Sequence, residues 1–111
     1  MRWLALCHPF VYDYAYHIPN EGKRSITEAM RLKNMGLRAG IPDICIALDN
    51  DINNTLYIEF KYGKNVITLH QETWIKKLRE AGHRVAICYT IDEAMDVVLD
   101  YFKNTDCLGR V

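Results

Sequence analysis

Three residues in this chain have the types and spacing to do phosphoester chemistry: Asp43, Glu59 and Lys61. Asp43 follows Gly40-Ile41-Pro42 and opens an apolar run, Ile44-Cys45-Ile46-Ala47-Leu48; Glu59, Phe60 and Lys61 close a second run, Leu56-Tyr57-Ile58. Side chains alternate across a strand, so Glu59 and Lys61 point one way and Ile58 and Phe60 the other. Asp43 falls on the face opposite Ile44, Ile46 and Leu48. If the isoleucine faces are buried together, the two carboxylates and the ammonium converge on the other side. A hard divalent cation needs only one or two carboxylates and keeps several waters. Asp43, Glu59 and the main-chain oxygen of Phe60 could hold such an ion. It would then activate a water and stabilise charge on a phosphate oxygen. Lys61 could orient or deprotonate that water, or neutralise the phosphate. The bland alternative is that Asp43 caps a strand and that Glu59 and Lys61 form a solvated pair on an exposed face, since E-x-K recurs by chance.

The elements that must position these residues are legible in order. Residues 1–7 predict a short helix with Trp3, Leu4 and Cys7 on one side, ended by His8-Pro9. The aromatic-rich stretch 12–18 predicts a strand, with Tyr12, Tyr14 and Tyr16 on one face, packed in the core rather than stacking on bases. Ser25-Ile26-Thr27-Glu28 is a capping box that opens a helix ending at Met35-Gly36. The turn-rich Asp49–Asn54 joins the two apolar runs as an antiparallel hairpin. Thr68-Leu69-His70-Gln71 starts a helix to about Ala81, with Leu69, Trp74, Ile75 and Leu78 inward and Lys76, Lys77 and Arg79 wet. Gln71 is either the capping partner of Thr68 or a member of the site. A strand over 84–89 follows. Thr90-Ile91-Asp92-Glu93 then leads a helix with Ala94, Val97, Val98 and Tyr101 inward, and the tail after Lys103 is expected to be loose. The pattern predicts an α/β domain: a small mixed sheet flanked by helices.

Composition bounds the function. A chain of 111 residues has room for one domain, 1–111. Fourteen basic and fourteen acidic residues cancel, so any nucleic-acid contact must come from a local patch rather than from overall basicity. Cys7, Cys45, Cys88 and Cys107 form no C-x-x-C pair, and neither they nor the four histidines have zinc-ligand spacing. Reduced thiols in a cytoplasmic setting are expected. No apolar run approaches the roughly 20 residues of a membrane span, and the first seven residues are too short for a signal peptide. His17, His70 and His83 stand alone and read as structural.

Gly-Ile-Pro-Asp, a hairpin, Tyr-Ile-Glu-Phe-Lys and a glutamine in the next helix resemble the PD-(D/E)XK nuclease superfamily, and more closely its VRR-NUC family. The likeness extends to His17-Ile18-Pro19-Asn20 with Gly22-Lys23-Arg24, to the segment 32–40, and to Leu78-Arg79-Glu80-Ala81-Gly82, spanning about residues 1–102. It implies a restriction-endonuclease-like core with Asp43, Glu59, Lys61 and Gln71 as the catalytic group. It also implies magnesium or manganese as cofactor, branched DNA as substrate and a homodimer, in a bacterial or phage-infected cell. Asn20, Lys23, Arg24, Arg38 and Lys64 are then the candidates for DNA contact; Lys23, Arg24 and Lys64 could equally be solvated turn residues. Family members carry a glutamate in a first helix that this chain lacks, so that helix is expected to be truncated, or another acid such as Glu28 or Asp13 compensates. The resemblance therefore predicts an endonuclease of Holliday-junction or flap type. The alternative is a non-cleaving DNA-binding or assembly module with an incomplete site.

Overall fold

The computed structural model describes residues 1–19 and 25–111. A four-stranded mixed sheet in the order β1-β2-β3-β4 is built from β1 (Ala15–His17), β2 (Ile44–Ile46), β3 (Leu56–Phe60) and β4 (Arg84–Cys88). β1 pairs with β2 and β2 with β3 antiparallel, whereas β3 and β4 run parallel. Helices α1 (Arg2–Cys7), α2 (Pro9–Tyr12), α3 (Ile26–Asn34), α4 (Leu69–Glu80) and α5 (Ile91–Phe102) flank it, and a 3-10 turn spans Cys107–Gly109. α4 is the crossover that parallel pairing of β3 and β4 requires.

Capping sets the helix starts. Thr68 and Thr90 each form a complete capping box, with Gln71 and Glu93 reaching back to the cap backbone. Ser25 accepts from the Glu28 N–H, although α3 buries none of its side chains. The sheet face bearing Ile46, Leu56 and Ile58 packs on Leu4, Ala94, Val98, Tyr101 and Phe102 to make the main core. That burial fixes register, because a slip of one residue would turn every isoleucine to the opposite face.

Four expectations need correction. The strand expected over 12–18 is only three residues long, because Pro9 at a helix N1 position starts the turn of α2 that consumes Tyr12. Tyr12, Tyr14 and Tyr16 are consequently exposed rather than packed in the core. Cys7 is exposed and Leu69 is 76% exposed, so neither joins an apolar face. The tail is docked: Cys107 is buried and the Leu108 carbonyl lies 3.0 Å from His8 Nδ1. Cys45 and Cys88 are buried free thiols, as their apolar runs predict.

The loop between β2 and β3 is tied to α5. Tyr101 Oη donates to the carbonyls of Leu48 (2.8 Å) and Asn53 (3.2 Å), and Asn50 Nδ2 donates to the Tyr101 carbonyl (2.9 Å). Removing the hydroxyl strands two carbonyls at the base of the hairpin. Tyr101→Phe should therefore lower stability by about 1–2 kcal/mol in urea unfolding. An unchanged midpoint would show that the hairpin does not depend on this tie.

Candidate functional site

The register Ile44↔Ile58 sets Asp43 opposite Glu59 at the end of the hairpin. Asp43 is held on both sides of β2: its carbonyl accepts from Ile18 N–H (2.7 Å), and its Oδ2 accepts from Phe60 N–H (2.8 Å). Glu59 and Lys61 are only 4% and 8% exposed, which overturns the reading of a solvated pair. They do not bond each other directly. Gln71 stands between them: its Nε2 donates to Glu59 Oε1 (2.8 Å) and its Oε1 accepts from Lys61 Nζ (2.5 Å). The same Oε1 accepts from Thr68 N–H (3.0 Å), so Gln71 is at once the capping partner and a member of the cluster. A carbonyl oxygen has two lone pairs, and the amide orientation is fixed because only its NH₂ can face a carboxylate.

Local backbone explains how α4 comes so close. Gly40 has φ +85°, and a Cβ there would lie 2.4 Å from the His70 carbonyl carbon and 2.7 Å from Gln71 N. Only glycine lets this turn seat against the first turn of α4 and so place Gln71 over β3.

Two cavities flank the carboxylates. The larger, of about 380 Å³, is walled by Asp43, Glu59, Lys61 and Gln71 together with His17, Phe60, Tyr62 and Asn65. The other, of about 330 Å³, shares Asp43, Glu59 and Gln71 and is closed by Ala39–Ile41, Thr68 and His70. His17 and His70 thus stand at the site walls. His83 packs edge-on against Tyr57. Of the candidate DNA contacts, Lys64 lies in the exposed turn between Tyr62 and Asn65. Arg38 lines neither cavity and lies over the Trp74 ring at 5.3 Å. Asn20, Lys23 and Arg24 lie outside the described residues. Tyr62 and Asn65, which no sequence pattern singles out, also line the larger cavity.

Electrostatics single out Glu59. Burial pushes its carboxyl up to about 7 and the Asp43 charge pushes the same way, whereas the Lys61 charge and the Asp43 backbone N–H oppose them. Its Oε2 is buried with no hydrogen-bond partner. A carboxylate oxygen left unpaired beside a second carboxylate fits a divalent cation, which would supply the missing positive charge. Among the described residues no group of three or more His, Cys, Asp or Glu side chains is arranged to hold a metal. An ion here would have to be held by Asp43, Glu59, main-chain oxygen and water, all hard ligands.

Comparison with known proteins bears on the family and the fold. The model of the VRR-NUC domain matches residues 5–91. A solved structure described as a VRR_NUC domain protein is 30% identical, with a TM-score of 0.73 over 86% of this chain and 72% of its own. No curated protein matches. Among the described residues, no helix is long and apolar enough to cross a membrane.

The raised Glu59 carboxyl makes a signed prediction for metal-free protein. A folded pKa of about 7 against the ordinary 4.5 means that the folded state holds the proton more tightly. Stability from this group is then complete below the unfolded value and is lost as pH rises through the folded one. Glu59→Gln keeps an acceptor for Gln71 and removes the charge. It should raise the thermal midpoint at pH 8, by on the order of 2 kcal/mol of stability, and change little at pH 4.5. Melting curves in a chelator check this; a gain of equal size at both pH values would contradict it.

Proposed function

The chain belongs to the VRR-NUC family of nucleases, and from this premise we propose that it is a magnesium- or manganese-dependent endonuclease that hydrolyses phosphodiester bonds in branched DNA. The observation that supports this best is the buried Glu59 Oε2, unpaired and set beside Asp43 at the wall of a cavity that also holds Lys61. A bound divalent ion would activate water and stabilise charge on a phosphate oxygen. Asp43 and Glu59 would hold it, with the Phe60 main-chain oxygen as a further ligand. Phe60 N–H fixes the Asp43 carboxylate, and Gln71 fixes Glu59, so neither has to reorganise when substrate arrives. Lys61 spends one of its three N–H donors on Gln71. The others are left to orient the attacking water or to neutralise a phosphate oxygen.

Two-fold symmetric substrates such as four-way junctions need paired cuts, which a homodimer with one site per chain would make. Lys64, in the exposed turn that follows Lys61, would meet a flanking phosphate.

Asp43→Asn and Glu59→Gln should each lower junction cleavage by about 10²–10³-fold or more, since each removes a charge needed in the transition state. Lys61→Met keeps the stem packed and should lose cleavage while still binding uncut junction DNA. A gel assay with flap, junction and linear duplex reads all three. Full activity in Asp43→Asn would end this reading. A wild type that binds junctions but never cuts them would identify a non-cleaving DNA-binding module instead.

A further inference from the structure

Directly after Lys61 the chain makes a tight turn. Asn65 N–H donates to the Tyr62 carbonyl (3.1 Å), and Gly63 between them has φ +56°, with open space where a Cβ would stand. The turn sets Tyr62 and Asn65 on the wall of the larger cavity. Tyr62 is 73% exposed and belongs to no core cluster, so packing does not account for an aromatic ring here. Within one turn the chain thus offers an open π-face, an amide with both donor and acceptor, and the Lys64 cation. Those are what a single nucleotide needs: a ring to stack its base, an amide to meet the base edge, and a charge for its phosphate. The cavity, at about 380 Å³, falls among ligand-sized pockets. The cavity on the other side of the carboxylates has no tyrosine or phenylalanine in its wall, only Ala39–Ile41, Thr68, His70 and the shared residues.

We infer that the larger cavity is a subsite for one unpaired nucleobase adjoining the phosphate at Asp43 and Glu59, stacked on Tyr62 with its edge met by Asn65. A base inside a duplex has both faces stacked and its pairing edge occupied, so it can offer neither to this turn. Among branched substrates the chain would therefore favour flaps, which carry an unpaired base beside the branch, over fully paired four-way junctions. This rests on the nuclease reading and adds to it the element of structure that is recognised.

The test couples the protein ring to the DNA base. Fluorescently labelled flap DNA is bound in a chelator, so that nothing is cut, and an abasic site is moved through the unpaired positions next to the branch. Wild type should lose about tenfold in affinity when the abasic site reaches one position. Tyr62→Ala should bind intact and abasic DNA alike, and Tyr62→Phe should recover the discrimination. An abasic scan that costs the wild type nothing overturns the subsite, as does an equal penalty in Tyr62→Ala. If those results come with normal cleavage, the nuclease reading stands and only the subsite falls. A wild type that neither binds nor cuts branched DNA removes both.

Discussion

Everything at the site depends on a buried hydrogen-bond chain, Glu59–Gln71–Lys61, in which a neutral amide separates a carboxylate from an ammonium. Burying two charged groups costs several kcal/mol each unless partners replace the lost water. Gln71 supplies one partner to each, and its own oxygen is shared with the cap of α4. The helix start and the buried polar cluster are therefore one unit: α4 could not shift along its axis without unmaking both. The chain leaves Glu59 Oε2 unserved beside Asp43. Burial first, and the Asp43 charge second, raise the Glu59 carboxyl there.

The rest of the fold serves to deliver these three residues. Isoleucine burial against α1 and α5 sets the hairpin register, and the register sets Asp43 opposite Glu59. Parallel pairing of β3 with β4 forces a crossover, and α4 is that crossover, so Gln71 returns over β3. Gly40 allows the approach that closes the second cavity. Asp43 at the start of the inner strand β2, Glu59 and Lys61 at the end of β3, and Gln71 on α4 thus meet at one end of the sheet.

Much of this was legible in the residues. Period-2 alternation exposed the hairpin and its charged face, and three Ser/Thr-x-x-Glu/Gln patterns located α3, α4 and α5. Spacing could not choose between capping and site roles for Gln71, because one amide oxygen can accept two bonds and here serves both. The stretch around Tyr12 was misread since aromatic residues favour strands, whereas Pro9 had already begun a helical turn. The docked tail was missed because short segments held by one buried Cys107 and one carbonyl carry no periodic signal. Tyr62 and Asn65 escaped notice for the same reason: turn residues at a rim follow no pattern, and only the cavity gives them meaning.

We propose that Asp43 and Glu59 form one divalent-cation site. Calorimetric titration of manganese into the protein at pH 8 tests it most directly. One ion should bind per chain, with binding lost in Asp43→Asn and in Glu59→Gln but kept in Lys61→Met. Equal binding in the wild type and in both amide variants, or no binding to the wild type, would contradict it.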